Sequence, residues 1–191
     1  MPRIEIPDPA AIGDLPPDLE QAARSGALIN VFRMMLRSPQ IASAVVSLGA
    51  TQFGTSSLAP VDRELAILAA GASFQAPYEA SQHDPISTSV GITDAQRTAI
   101  AERRYDSAEF SAPQQALLRF VADVAASPTV TDEVFAAVSA HYSQQQIVDV
   151  VVQTGYYFLI GRVTTVLDVP LDPPADARVL TAGLSMTGKK K

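Results

Sequence analysis

Glu79 and His83 stand four residues apart, a spacing that puts both side chains on one face of a helix. A carboxylate beside an imidazole is the raw material of general acid–base chemistry. Burial raises the pKa of the acid, and the histidine exchanges protons near neutrality. A third group of this kind, Glu64, follows Arg63 in a segment rich in Ala, Leu and Ile. With Leu65, Leu68 and Ala69 facing inward, Glu64 stands beside their apolar stripe. The short stretch from Gly71 to Pro77 then folds the two segments back as antiparallel neighbours. Glu64, Glu79 and His83 are the expected catalytic set, gathered around one partly buried pocket. Each also has a plainer reading. Glu79–His83 alone is an ordinary helix-surface pair worth roughly 0.2–0.5 kcal/mol. Glu64 alone is an interhelix ion-pair partner, with Arg63 its solvated neighbour.

Other polar side chains are less exacting. Arg162 closes an apolar run and needs either a protein carboxylate or an anionic ligand. Tyr156 and Tyr157 fall inside that run and read as core, with one hydroxyl bonded to a carbonyl. Tyr78, Tyr156 and Arg162 are the expected substrate-binding side chains. His141 precedes Tyr142 near a helix C-terminus, where an imidazolium suits the dipole.

Composition excludes several classes of function. The 191 residues contain no cysteine, which removes disulfides, thiolate zinc sites, cysteine nucleophiles and dithiol redox centres. Two histidines cannot build a three-histidine metal site within one subunit. A net charge of −6 and a pI near 4.8 argue against nucleic acid, and the one basic run, Lys189-Lys190-Lys191, is a terminal tail. No GxGxxG, Walker A loop, G-x-S-x-G elbow or H-E-x-x-H is present. The longest apolar stretch, Val150 to Gly161, is interrupted by Gln153 and falls short of the roughly 20 residues that span a bilayer. The N-terminus has no apolar h-region, so a cytoplasmic protein with no membrane partner is expected.

The elements that must position these residues read as helices. Residues 1–18 carry five prolines and are expected to be an extended lead-in; residues 19–172 are expected to form one helical domain, and 173–191 a tail. Asn30 is expected to cap a short helix from Val31 to Arg37, and Pro39 opens another that reaches Phe53. Pro60 opens Val61 to Ala72, and Pro77 opens Tyr78 to Ser89. Capping boxes start helices at Thr93-Asp94-Ala95-Gln96, Ser111-Ala112-Pro113-Gln114 and Ser143-Gln144-Gln145-Gln146. Thr131 caps Asp132 to Tyr142. The last helix, Ile147 to Leu167, is apolar nearly all round and belongs at the centre or in a subunit interface. The sum is an all-α fold of about eight or nine helices.

The ordered strings Asn30-Val31-Phe32-Arg33, Ser38-Pro39, Asp62-Arg63-Glu64-Leu65, Tyr78-Glu79-x-x-x-His83 and Gly91-Ile92-Thr93 resemble the carboxymuconolactone decarboxylase family, which includes the AhpD-like alkylhydroperoxidases. Asp123, Val130-Thr131-Asp132, Ser143 to Asp149 and Gly155-Tyr156-Tyr157 are similar to its C-terminal half, so the resemblance covers residues 28–172. It implies an AhpD-like helical bundle that assembles as trimers or hexamers. The peroxidase branch relays protons through a glutamate, a C-x-x-C pair and a histidine. Aligned on His83, the cysteine positions are Ala76 and Glu79 and the relay glutamate is Glu64. The acid–base ends are kept and the thiols are not, so dithiol peroxide reduction has no sulfur to run on. Ala80 replaces a common tryptophan, and Pro85 is expected to disturb the helix just past the site.

The resemblance to the cysteine-free, decarboxylase-like branch implies cofactor-independent proton transfer on a small lactone or carbonyl acid. His83, held by Glu79, would deliver the proton; Glu64 would orient His83 or serve as the second acid–base group; Arg162 would hold a substrate carboxylate. No metal or cofactor is needed. A non-catalytic helical oligomer that binds a small ligand or protein partner stays open beside it, as does a metal enzyme built on Glu64, Glu79 and His83.

Overall fold

The computed structural model describes residues 1–26 and 28–172. The expected tail, 173–191, and with it the lysine run lie outside them. The described residues form nine α-helices and no strand, as the all-α expectation requires. They are α1 (Pro17–Arg24), α2 (Asn30–Met35), α3 (Pro39–Thr55), α4 (Pro60–Phe74), α5 (Pro77–Ser89), α6 (Asp94–Ala101), α7 (Ala112–Ala126), α8 (Asp132–Ser139) and α9 (Gln144–Val166). The described residues divide into two compact units, one from residues 1–55 with 162–172 and one from residues 56–161.

The first unit packs Leu19, Leu36 and Ala42 into a small core, flanked by Ile12, Leu15, Leu28, Met35 and Val46. Its start is not wholly extended. Asp8 accepts the Ala10 N–H at 3.0 Å and caps a 3-10 turn at Pro9–Ala11, where Pro9 supplies the helical φ. Asn30 does not cap α2 but is its first residue. Its N–H is taken by the Asp172 carboxylate at 2.9 and 3.2 Å, so a residue 142 positions away supplies the cap.

The second unit is built around α4, against which α5, α6 and α7 pack. Arg63, Glu64, Leu65, Ala66, Ile67, Ala69, Ala70, Gly71 and Phe74 are all buried on it. Gln75, left-handed at φ 54°, ends α4; the Ala76 N–H returns to the Gly71 carbonyl at 3.0 Å, and Pro77 starts α5 at once. The turn between the two chemical segments is thus shorter than the expected Gly71–Pro77 loop. The expected disturbance at Pro85 does not end α5, which continues to Ser89. The helix gives up the bond that a Pro85 N–H would make, while the Ser87 and Thr88 hydroxyls cover the Asp84 carbonyl at 2.7 and 3.0 Å. The box at Thr93 closes as read, with Gln96 N–H to Thr93 at 3.2 Å and Thr93 N–H to Gln96 at 3.0 Å. The box at Ser143 closes with Gln146 in the same way. The central helix is α4 rather than α9, because α9 buries Gln153, Thr154, Tyr156, Tyr157 and Ile160 while leaving Val148, Val151, Val152, Phe158 and Leu159 exposed.

Leu65 is 0% exposed on the central helix, so Leu65→Ala should cost about 2–5 kcal/mol in a urea titration. Ile41→Ala, at an exposed position of α3, should stay within about 0.5 kcal/mol. Equal losses at the two positions would contradict the placement of the core.

Candidate active site

Glu64 enters the interior from the first turns of α4, and His83 meets it from the middle of α5. His83 Nδ1 lies 2.8 Å from Glu64 Oε2. The other ring nitrogen, Nε2, lies 3.0 Å from the hydroxyl of Tyr157 on α9. The two rings meet edge to face at 83°. Glu64 is 0% exposed, His83 7% and Tyr157 5%. Three helices of one unit therefore converge on a buried row of carboxylate, imidazole and phenol.

The roles of the two ring nitrogens depend on the tautomer. A hydrogen on Nδ1 would be donated to the Glu64 carboxylate, and a bare Nε2 would accept from the Tyr157 hydroxyl. Burial pushes the Tyr157 pKa well above its usual 10, and the negative charge of Glu64 adds to the effect, followed by Tyr156 and Glu79. Tyr157 is a neutral donor throughout the ordinary pH range.

Arg63 is 2% exposed, not the solvated neighbour expected of it. Its Nε stands 3.9 Å from Glu64 Oε1, close enough for charge attraction and too far for a hydrogen bond. Burial lowers the Arg63 pKa, and Glu64 pulls it back up. Gln153 on α9 donates to the Arg63 carbonyl at a long 3.4 Å. Glu79, 2% exposed, sits one turn before His83 on α5. Two glycines flank it. A Cβ on Gly71 would meet the Glu79 Cβ at an ordinary 3.5 Å and a Cβ on Gly161 would meet Glu79 Oε1 at 3.8 Å, but the latter would crowd the Ala76 Cβ at 3.0 Å.

The expected roles shift accordingly. His83 is oriented by Glu64, the longer-range of the two glutamates, with the intrahelical neighbour Glu79 packed beside the row. Of the expected substrate-binding residues, Tyr78 and Tyr156 are buried at 3% and 7%, and burial raises the Tyr156 pKa. Arg162 is exposed and belongs to the first unit. The Tyr157 hydroxyl goes to a histidine, not to a carbonyl. One signal in the chain points to this: Gln153, the polar break in the apolar run, lies one turn before Tyr157 and marks the face that meets polar groups. Glu64, Glu79 and His83 are 0%, 2% and 7% exposed, deeper than the partly buried placement expected of them. An open cleft of about 680 Å³ lies beside α5, walled by Leu68, Ala72, Ala76, Ala80, Arg97 and Ile100. Arg97 there is held by Asp84 at 3.0 Å, by Asp94 and by the Ile92 carbonyl at 2.7 Å. Among the described residues, no group of three His, Asp or Glu side chains is arranged to hold a metal ion.

No protein-family model matches this chain, and no curated protein does. Solved structures share its fold. An uncharacterized peroxidase-related protein from Ralstonia eutropha JMP134, described as an alkylhydroperoxidase AhpD core, has a TM-score of 0.74 and 24% identity, covering 94% of this chain and 95% of its own. An uncharacterized peroxidase-related protein from Silicibacter sp. TM1040 gives 0.74 at 13% identity, covering 90% and 92%. A cysteine-to-alanine variant of the debrominase Bmp8, in complex with 2,3,4-tribromopyrrole, gives 0.70 at 17% identity, covering 90% and 91%. The chain has the AhpD-like fold.

A pH dependence follows from the buried phenols. Tyr142, Tyr156 and Tyr157 keep their protons in the folded chain above the pH at which an unfolded chain loses them, about 10. Stability contributed by these protons is fully present below pH ~10 and is lost as pH rises beyond it, by about 1.4 kcal/mol per pH unit for each phenol. Tyr157→Phe should flatten that alkaline loss by about one proton's worth in urea titrations at stepped pH. An unchanged slope would mean that Tyr157 ionises as easily folded as unfolded.

Proposed function

We propose that this chain is a thiol-free enzyme that transfers protons on a small lactone or carbonyl acid, with a decarboxylase-like lyase reaction as its leading form. The observation that carries the reading is the buried Glu64–His83 pair at 2.8 Å, a carboxylate and an imidazole desolvated together in a chain without cysteine. Such a pair stores and releases a proton without a metal or cofactor. In an unsaturated lactone acid, the bond to the carboxylate breaks, CO2 leaves and the electron pair moves into the lactone carbonyl. The resulting dienolate carbon then takes one proton from the imidazolium form of His83, and the ring recovers that proton from water before the next turnover. Glu64 balances the charge on His83 through the cycle, and Glu79, buried one turn before His83 on α5, would serve as a second acid–base group. Isomerisation needs the same parts. Tyr78, Tyr156 and Arg162 are proposed to bind the substrate; for Arg162 the argument rests on sequence alone. The Bmp8 debrominase carries a small-ring ligand on this fold, which supports small-molecule chemistry.

A second reading is a non-catalytic helical oligomer. The burial of His83 favours it, since the ring is 7% exposed and both its nitrogens are engaged. Self-association is part of both readings, as a homotrimer or homohexamer. The support is the exposed apolar face of α9, where Val148, Val151, Val152 and Leu159 recur at helical spacing and are 40–60% exposed.

A screen of lactone and keto acids for CO2 release or double-bond migration separates the readings. On a substrate so found, His83→Ala and Glu79→Gln should each lower turnover by about 10²- to 10⁴-fold with the helical signal intact. Full activity in His83→Ala would overturn the enzymatic reading. In sedimentation, the chain should run as a trimer or hexamer, and Val152→Glu should shift it toward a 20.2 kDa monomer. A wild-type monomer would remove the oligomer.

A further inference from the structure

We propose that Tyr157 is a positioning residue that, together with Glu64, fixes which nitrogen of His83 carries the proton. The inference deepens the proton-transfer reading and rests on it for its meaning in turnover. A neutral imidazole has two tautomers, and only one presents a basic Nε2. Glu64 holds the hydrogen on Nδ1 from one side, at 2.8 Å. Tyr157 acts from the other, at 3.0 Å: among the described residues its hydroxyl has His83 Nε2 as its hydrogen-bond partner, so the buried phenol hydrogen is satisfied only when that nitrogen is bare.

The geometry argues that this contact is built. The phenol is 5% exposed and meets the imidazole at 83° with centroids 5.2 Å apart. The neighbouring Tyr156 ring meets it edge to face at 81°, with centroids 5.3 Å apart. Gln153, one turn earlier, ties the same face of α9 to the Arg63 carbonyl. The backbone that carries Glu64 and the helix that carries Tyr157 are thereby joined directly, so the two groups that grip His83 keep their separation. The groups facing the imidazole from its own and neighbouring helices are Glu79 on α5, Glu64 and Arg63 on α4, and Tyr156 and Tyr157 on α9.

The chain contains two histidines, which makes the test clean. With ring-¹⁵N histidine, long-range ¹⁵N–¹H spectra report both tautomers, and exposed His141 serves as an internal reference. In the wild-type protein at about pH 8, His83 should show a protonated Nδ1 and a hydrogen-bonded, unprotonated Nε2. Tyr157→Phe should move Nε2 toward the frequency of a bare nitrogen and leave His141 in place. In Glu64→Gln, Tyr157 alone should still hold the Nδ1–H form. Glu64→Gln combined with Tyr157→Phe should mix the tautomers. The opposite tautomer, or a doubly protonated ring, in the wild type would overturn the proposal with no variant needed. An unmoved Nε2 in Tyr157→Phe, or mixing already present in Glu64→Gln, would overturn it too. Turnover enters none of these readings. Full activity in His83→Ala would therefore defeat the enzymatic reading while the tautomer result stood separately.

Discussion

A carboxylate with no access to water has to be satisfied by the protein, and the second unit is organised around that demand at Glu64. Deleting one partner of such a buried charge typically costs about 3–5 kcal/mol. The partner is not local. His83 reaches it from the next helix, 19 positions on, and the two meet because α4 and α5 pack against each other through a turn of almost no length. Gln75 in the left-handed region and Pro77 at the first position of α5 make that turn. Tyr157 then binds α9 to the same point. Local conformation, helix packing and the candidate chemistry are one constraint seen at three scales.

One small residue sets a close approach. A Cβ on Gly161 would stand only 3.0 Å from the Ala76 Cβ, so the absence of a side chain at Gly161 lets α9 pack tightly against the start of α5. Gly161 lies one turn after Tyr157, and this contact seats that turn of α9 beside the helix that carries the imidazole. Arg63 adds a buried positive charge on the far oxygen of Glu64 without bonding it directly.

Helix starts were legible because they are written in adjacent residues. The boxes at Thr93 and Ser143 need only four positions each, and Pro39, Pro60 and Pro77 open α3, α4 and α5 as read. What failed was information carried across distance. Asn30 looked like a cap until the Asp172 carboxylate, far along the chain, took its N–H. Arg63 looked solvated because charged residues near a helix start usually are, but α5, α6 and α7 leave α4 no wet face there. The link from Glu64 to His83 was foreseen as one option. The Tyr157 link was missed because nothing in a single apolar run says which of two adjacent tyrosines turns toward a histidine 74 positions away.

Helix α5 serves the cluster and the cleft with adjoining faces. His83 and Glu79 face the buried cluster, while Ala76, Ala80 and Asp84 wall the open cleft. Ala76 stands three residues before Glu79 and Ala80 three before His83, so each pair shares a side of the helix. Neighbours of this kind couple, and the effects of substituting both do not simply add. Enlarging Ala80 to reshape the cleft therefore presses on the turn that carries the imidazole, and descendants of such a chain diversify what the cleft accommodates only at the expense of the interior beside it.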